Sequence, residues 1–200
     1  MMHPDTELGF VNETIGYGVF ATKFIPKGTI TWALDELDQT FSESYVNSLN
    51  TVQRQNLLKY CYRNNQGKYI YCWDIAKFVN HSFNANCIST AYEFEVAIRD
   101  IYPGEQLTDD YGYLNVDEPF SCVQEPGSLR TKVMPDDILF FYHEWDEKVA
   151  EAMKYFHNVE QPLRSFIQSN FVNKVNAVAL AKEPLDSIRN CYYERKSVLV

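Results

Sequence analysis

Short runs of β-branched and aromatic residues alternate with turn signals along the first part of the chain, and they predict strands. Residues 8–32 contain two such runs around the sequence Ile-Pro-Lys-Gly at 25–28, which is typical of a tight turn. The strand pattern returns at residues 69–73 and 91–98, followed by a Pro-Gly turn at 103–104. This part of the chain is therefore predicted to be mainly β.

A stretch between these strand regions carries its apolar residues at helical spacing instead. Residues 42–60 contain no glycine or proline, and Ser42 or Ser44 is a candidate N-cap. The apolar positions that recur every three to five residues are Tyr45, Leu49, Val52 and Leu57. The pattern predicts one helix over the whole stretch.

The last third of the chain changes to a helical pattern, after a loop-like region at 114–131. Pro135-Asp136 is a typical helix start. The apolar stripe that follows it is Ile138, Phe141, Trp145, Val149 and Met153. Pro162 predicts the start of a further helix, whose apolar residues are Leu163, Phe166, Ile167 and Phe171. Residues 136–196 are thus expected to form helices that pack on the β-rich part.

Composition and charge narrow the class of protein. The chain has 200 residues, 46% of them hydrophobic and 15% aromatic, which is enough for one or two globular domains. Its net charge of −9 argues against non-specific binding to nucleic acid or to an anionic membrane, and favours a basic partner. Neither a signal peptide nor a run of roughly 20 apolar residues is found. We therefore expect a soluble, cytoplasmic protein, with a nuclear or host-directed location left open.

The five cysteines do not indicate a metal site or a disulfide framework. Their number is odd, their spacing is scattered, and no Cys-x-x-Cys pair occurs. The histidines add no HExxH motif and no His/Cys pair at ligand spacing. We expect reduced thiols, most of them buried.

Three polar motifs could carry function. The first, Gly-Tyr-Gly-Val-Phe-Ala at 16–21, matches a dinucleotide fingerprint and is followed about 20 residues later by Asp35 and Asp38. The match fails on context because Pro26 interrupts the helix that the fingerprint requires. A lone Gly-x-Gly is most often a turn, and its functional interpretation is a close approach of the backbone to a ligand.

The second motif, Phe-Val-Asn-His-Ser-Phe-Asn-Ala-Asn-Cys at 78–87, is rich in hydrogen-bonding side chains. His81-Ser82 is not a credible base and nucleophile, since neighbours in an extended segment point to opposite faces and no Gly-x-Ser-x-Gly elbow exists. Asn80, His81 and Asn86 could instead bind a ligand or satisfy backbone groups in turns. The motif alone leaves both interpretations open.

The third motif, Gly-Glu-Gln-Leu-Thr-Asp-Asp-Tyr-Gly-Tyr at 104–113, makes the set recognisable. In order and spacing the three motifs resemble the SET domain of S-adenosylmethionine-dependent protein lysine methyltransferases. IGYGVFATKFIPKGTI resembles its first motif, FVNHSFNANC its "F.NHSc.PNc" motif, and GEQLTDDYGY its "GEEltxDYg" motif. IYCWD at 70–74 stands where the family has a strand ending in Asp. The similarity covers roughly residues 10–120.

The resemblance implies a fold and a domain organisation. The expected fold is a mainly β, β-clip-like and knotted SET domain at 8–120, α+β overall once the helices are included. Residues 33–68 would be a variable helical insert. Residues 121–200 would form a loop and a helical region that packs on the SET core.

The resemblance also implies a cofactor site and a catalytic residue. S-adenosyl-L-methionine, with S-adenosyl-L-homocysteine as product, would contact the backbone of Ile15, Gly16 and Tyr17, the side chain of Asn80 and the backbone of His81. Gly18 would allow close approach, and Tyr60 and Phe120 would lie beside the cofactor. Tyr111 matches the catalytic tyrosine, and its hydroxyl would orient the acceptor amine. Asn86 would fix the crossing of the second and third motifs.

The departures from the family pattern limit what it implies. Ala85 replaces the usual proline and Phe83 a common cysteine, and Asp109 stands where Phe or Tyr often tunes the number of methyl groups added. The number of methyl groups is therefore left open. Residues 120–130, FSCVQEPGSLR, resemble a zinc-binding tail in which only Cys122 remains. We expect the C-terminal helices to close the lysine channel, or else to be only core, with aromatics such as Phe140, Tyr142, Trp145, Tyr192 or Tyr193.

The expected function is methyl transfer from S-adenosylmethionine to a lysine side chain of a basic protein or peptide, such as a histone or a ribosomal protein. The alternative is a non-catalytic SET-fold protein that binds a peptide or a partner. Transfer to a small molecule or to a non-lysine side chain is a third option. Retention of the Gly-Tyr-Gly turn, the Asn-His pair and Tyr111 argues for the enzyme.

The reduced tail motif predicts that the protein holds no stoichiometric zinc, because one cysteine cannot supply the four ligands of a structural site. Elemental analysis of the purified protein should find far less than one zinc per chain. A value of about one zinc per chain would show that the tail has been misinterpreted.

Overall fold

The computed structural model describes residues 1–195 and shows an α+β chain built mostly from short strands. The strands are β1 (Thr6–Asn12), β2 (Gly16–Ala21), β3 (Ile30–Ala33), β4 (Gln39–Phe41), β5 (Cys61–Arg63), β6 (Tyr69–Tyr71), β7 (Asn80–His81), β8 (Cys87–Ser89), β9 (Phe94–Ala97), β10 (Gln106–Asp109), β11 (Phe120–Ser121) and β12 (Lys132–Val133). The α-helices are α1 (Glu43–Ser48), α2 (Thr51–Tyr60), α3 (Asp137–Met153) and α4 (Val172–Ala179). Within these residues, no helix combines the length and the apolar character needed to cross a membrane.

The strands form several small sheets. A four-stranded sheet has the order β1-β2-β10-β7, two three-stranded sheets have the orders β3-β9-β8 and β4-β6-β5, and β11 pairs with β12. Strand β10 runs antiparallel to β2 but parallel to β7, with Thr108 opposite Asn80 and Asp109 opposite His81. This pairing brings the three sequence motifs together. The predicted α+β, mainly β fold is confirmed, and the knotted threading stays a prediction.

Asn86 joins the loop after β7 to strand β10. Its side chain is 1% exposed, donates to the carbonyl of Gln106 over 2.9 Å and accepts from the backbone N–H of Thr108 over 2.9 Å. The Asn86 side chain thus acts as a hydrogen-bond partner for one carbonyl and one N–H group of the β10 backbone. Its own buried polar atoms are satisfied by the same two bonds. This contact agrees with the expectation that Asn86 fixes the crossing of the two motifs.

Helix α3 packs its apolar stripe against the sheet β3-β9-β8. Ile138, Trp145, Val149 and Met153 are buried in the core shared with β9, and Trp145 meets Tyr113 edge-on with ring centroids 4.9 Å apart. The predicted stripe is therefore correct, with Phe141 only partly buried.

Two predicted helices differ from the structure. Residues 42–60 form α1 and α2 rather than one helix, because the Asn50 side chain accepts from the N–H of Gln53 and starts a second helix. Ser42 does cap α1. Tyr45 and Val52, expected on a packed face, are 49% and 67% exposed.

Pro162 does not open an α-helix. The chain makes a 3-10 turn at Arg164–Phe166, and α4 begins only at Val172. Gln161 holds the preceding backbone in place by donating to the carbonyl of Gly28 and accepting from the N–H of Ile30. Leu163 and the other apolar residues after Pro162 reach the core from a short turn rather than from a helix. Burial in the core therefore decides the conformation of this segment.

Arg130 ties the segment after Tyr111 to the core. Its guanidinium pairs with the buried carboxylates of Asp110 and Asp137 and stacks on Phe83 and Phe141 with its central carbon 4.5 and 4.4 Å from the ring centroids. Asp110 immediately precedes Tyr111, and Asp137 begins α3. One side chain therefore links the tail, the third motif and the C-terminal helices.

Replacing Arg130 with Met should lower the free energy of unfolding by about 3–5 kcal/mol, because the change leaves two buried carboxylates without their cation. Urea unfolding measures the effect. The matched control is Arg99→Met, which removes a surface pair with Glu105 and should cost less than about 1 kcal/mol. Equal losses in the two variants would contradict the role given to Arg130.

Candidate functional site

A small cavity of about 140 Å³ lies where the three motifs meet. It is lined by Ile15, Gly16, Tyr17, Lys59, Tyr60, Lys77, Phe78, Asn80 and Tyr111. Six of the nine predicted cofactor residues are in this set, although they come from four separate parts of the sequence. The β10 pairing with β2 and β7 is what makes them neighbours.

The turn between β1 and β2 presents the first motif to this cavity. Gly16 has a positive φ of 84°, a conformation that favours glycine. The side-chain oxygen of Asn12 accepts from the N–H groups of Thr14 and Ile15, both over 2.9 Å, and closes the turn. Asn12 was missed by sequence reasoning, although an asparagine before a turn is a usable signal.

Asn80 is fixed by two hydrogen bonds of its side-chain nitrogen. Nδ2 donates to the carbonyl of Tyr17 over 3.0 Å and to Oε1 of Gln106 over 2.7 Å. The side-chain oxygen of this cavity-lining residue is thus left as the acceptor for a donor in the cavity. Gln106 was missed, since nothing in the sequence indicates that it faces a residue 26 positions earlier.

Gly18 lies against the same pair of side chains. A Cβ atom at this position would lie 2.1 Å from Oε1 of Gln106 and 2.8 Å from Nδ2 of Asn80. Gly18 does not line the small cavity itself, and its lack of a side chain makes room for the residues that do.

Tyr111 lies between the small cavity and a second, larger one, and lines both. Its hydroxyl donates to the carbonyl of Val79 over 2.6 Å, and its backbone N–H donates to Nδ1 of His81 over 3.2 Å. Burial first, and then the charges of Asp109 and Glu95, raise the pKa of Tyr111. The phenol therefore stays protonated at neutral pH and is a hydrogen-bond donor rather than a resting base.

His81 supports Tyr111 from the side away from the cavities. Burial lowers the pKa of His81, so that its neutral ring can accept from Tyr111. The ring also packs edge-on against Phe83 and Phe120, with centroids 4.4 and 6.0 Å apart. His81 is absent from the linings of both cavities, and the contact of its backbone with the cofactor stays a prediction.

The larger cavity has a volume of about 590 Å³ and an aromatic wall. Its aromatic residues are Trp32, Tyr60, Tyr62, Tyr69, Phe94, Tyr111, Tyr113, Phe120 and Phe171. Phe120, expected beside the cofactor, lines this cavity, with its ring centroid 6.2 Å from that of Tyr111.

The C-terminal region reaches this larger cavity with other residues than those expected. Phe140, Tyr142, Trp145, Tyr192 and Tyr193 are absent from its lining; the contributors after residue 121 are Phe171, Asp186, Ile188, Asn190 and Cys191. Trp145 is core, and Phe140 is 69% exposed. Sequence spacing located α3 but not the C-terminal residues that face the cavity.

Two lysines at the junction of the cavities were also missed. Lys59 and Lys77 line both cavities, and Lys77 lies 5.0 Å from the centroid of the Tyr71 ring. They place positive charge beside Asn80 and Tyr60. Surface lysines carry no sequence signal that separates them from ordinary solvated residues.

Two buried acidic residues belong to the polar part of the larger cavity's lining. Glu95 and Asp109 both line it, and Asp109 is only 3% exposed. Burial raises the pKa of both carboxyls, Asp109 well above its usual range and Glu95 to about 7. Within residues 1–195, no three His, Cys, Asp or Glu side chains are placed to hold a metal ion together.

The comparison with protein families agrees with this geometry. The model of the SET domain matches residues 16–112, which contain all three motifs. No curated protein matches the chain. The chain is therefore a SET-domain protein, a family to which methyltransferases belong.

Replacing Asn80 with Ala should weaken the binding of S-adenosylhomocysteine by about tenfold or more, equivalent to about 1.4 kcal/mol, because the cavity loses its fixed acceptor. The melting temperature should change little. Calorimetric titration measures the affinity. The matched control is Asn84→Ala, in the same segment, whose amide donates to Pro126 instead; similar losses in both variants would remove Asn80 from the site.

Proposed function

We propose that the protein transfers a methyl group from S-adenosylmethionine to the side-chain amine of lysine in a basic protein or peptide. The observation that carries the proposal is the meeting of the two cavities at Tyr111. A displacement at a methyl carbon requires donor and acceptor to approach from opposite sides in line, so that positioning supplies much of the catalysis. Two cavities that share a wall containing Tyr111 suit that requirement.

The residues of the small cavity fit the amino-acid end of the cofactor. The side-chain oxygen of Asn80 suits an ammonium donor, and Lys59 and Lys77 suit a carboxylate. Gly18 keeps Asn80 in place, because any side chain there would displace it. When bound, S-adenosylmethionine supplies a methyl group attached to a positively charged sulfur.

Tyr111 positions the acceptor. Its hydroxyl oxygen, fixed by the bond to the Val79 carbonyl, keeps lone pairs that can accept from an amine N–H. Its raised pKa keeps the proton on the phenol, so that the hydroxyl orients the amine without removing its proton. The His81 ring holds Tyr111 from behind through the backbone N–H.

The larger cavity suits a long side chain that ends in a cation. Aromatic rings would desolvate the ammonium, and the carboxyls of Glu95 and Asp109 lie in the same lining. Deprotonation matters, because a free lysine with a pKa of about 10.4 costs about 4.6 kcal/mol to neutralise at pH 7. The net charge of −9 supports a basic partner.

An assay with labelled S-adenosylmethionine over a panel of histones and ribosomal proteins tests the proposal, with mass spectrometry locating the modified side chain. Labelled lysine in any member supports it. Binding of a basic protein without transfer would favour the non-catalytic alternative, and label on another side chain would correct the acceptor.

Replacing Tyr111 with Phe should reduce the single-turnover rate by about 100-fold or more, since the amine loses its orienting group and roughly 3 kcal/mol of transition-state stabilisation. The affinity for S-adenosylhomocysteine should persist, because Asn80 and the Gly-Tyr-Gly turn are unchanged. The lost bond to Val79 should cost about 1 kcal/mol of stability.

Tyr102→Phe is the matched control, since Tyr102 is 57% exposed and packs only on Phe24 among aromatic rings. Its turnover should equal that of the wild type. Near-normal turnover of Tyr111→Phe would move the catalytic role to another residue, with Tyr71 and Tyr113 as the next to test.

A further inference from the structure

The two carboxyls of the larger cavity face each other from neighbouring sheets. Glu95 belongs to β9 of the sheet β3-β9-β8, and Asp109 ends β10 of the sheet β1-β2-β10-β7. They lie close enough to hydrogen-bond when one of them is protonated. Ser89 also donates to Glu95 over 3.3 Å. The fold therefore places a carboxyl pair, rather than isolated acids, in the wall of the cavity.

The pair needs a hydrogen-bond donor that the protein does not supply. Asp109 Oδ1 is buried, and among residues 1–195 it has no hydrogen-bond partner. A buried carboxylate oxygen without a donor is costly. A proton shared with Glu95 meets part of this demand. Because Asp109 lines the cavity, a cationic group inside the cavity would lie beside the pair and stabilise its negative charge.

The same pair acts on Tyr111, which lies two residues beyond Asp109. The charges of Asp109 and Glu95 both contribute to the raised pKa of its hydroxyl. Tyr111 therefore cannot take a proton from the acceptor, whereas a carboxylate beside it can. The chemistry divides between an orienting phenol and a nearby base.

We propose that the Glu95–Asp109 pair binds the ammonium end of the acceptor and removes its proton. This inference rests on the proposed function and deepens it. In the step, one N–H bond of the ammonium breaks, its electron pair stays on nitrogen as the lone pair, and an O–H bond forms on the ionised carboxylate. The acceptor becomes a neutral amine, and the pair becomes neutral.

The charge state of the pair suits this step near neutral pH. Burial raises the pKa of Glu95 to about 7 and that of Asp109 well above its usual range, so that loss of the first proton from the coupled pair gives it one negative charge. The base is therefore present above pH 7 and lost as the pH falls through 7.

Other titratable groups pack around the pair. Burial raises the pKa of the neutral groups that face it, which are Cys72 just after β6, Cys87 on β8, Tyr62 on β5, and Tyr111. Asp110 is paired with Arg130, and the amino group of Met1 is paired with Asp35. Glu93, whose pKa burial also raises, lines the same cavity, so that a titration near pH 7 belongs to the pair where Glu95→Gln or Asp109→Asn removes it.

The first test measures the pair directly and needs no turnover. Carbon-13 NMR of side-chain carboxyls follows the titration of the full chain, with Glu95→Gln and Asp109→Asn assigning the signals. The wild type should show a carboxyl titrating near pH 7. Excess n-butylammonium chloride, a mimic of the lysine side chain, should lower that pKa by about one unit or more, and n-butanol should not. Ordinary carboxyl titrations, or no response to n-butylammonium, would overturn the proposal.

The second test is the pH profile of single turnover on an acceptor found in the protein panel. Glu95→Gln should lose about 100-fold at pH 7 and should approach the wild-type rate near the acceptor's own pKa of about 10.4. Glu7→Gln, which removes an exposed charge on β1, should keep the wild-type profile. A Glu95→Gln profile parallel to that of the wild type would overturn the role of the pair.

The experiments distinguish a failure of the proposed function from a failure of the role given to the carboxyl pair. If n-butylammonium shifts the pair but no protein is methylated, the proposed function fails and the cation site stands. If methylation is found and neither the NMR titration nor the pH profile responds, the inference fails and the function stands.

Discussion

The parallel pairing of β7 with β10 is the constraint on which the site depends. These strands are two and four residues long, too short to hold together by their own ladder bonds. Asn86 adds further hydrogen bonds to this pairing. Its buried side-chain amide donates to the carbonyl of Gln106 and accepts from the N–H of Thr108. Asn80, Gln106 and Tyr111 then occupy fixed positions around one cavity.

A second constraint fixes the segment on the other side of Tyr111. Arg130 pairs with Asp110 and Asp137 and lies between aromatic rings, so that the tail and α3 cannot move independently of the third motif. Burying an ion pair costs free energy, and removing only one of its two partners destabilises the protein further. Positional precision at Tyr111 is therefore coupled to the packing of the C-terminal helices.

The electrostatics of the two cavities differ in sign. Lys59 and Lys77 line both cavities, and Glu95 and Asp109 are placed in the larger one alone. Negative charge therefore lies on the side proposed for the acceptor, and Tyr111 stands between it and the cavity proposed for the cofactor.

Much of this could be predicted from the sequence, and the limits have physical causes. The β1–β2 turn and the stripe of α3 depend on local chemistry, which glycine placement and helical spacing record. The helix predicted over residues 42–60 is divided at Asn50, because the Asn50 side chain caps the start of a second helix. The apolar spacing of the stretch has no packing partner that would favour one continuous helix. Gln106, Lys59 and the cavity face of the C-terminal region depend on contacts between distant segments, which local patterns do not record.

The most direct test of the central claim is a crystal structure of the chain with S-adenosylhomocysteine. Electron density for the ligand is expected in the small cavity, with its ammonium on the side-chain oxygen of Asn80 and its sulfur directed toward Tyr111. Density at another place on the surface, or a small cavity that stays without ligand at saturating concentration, would contradict it.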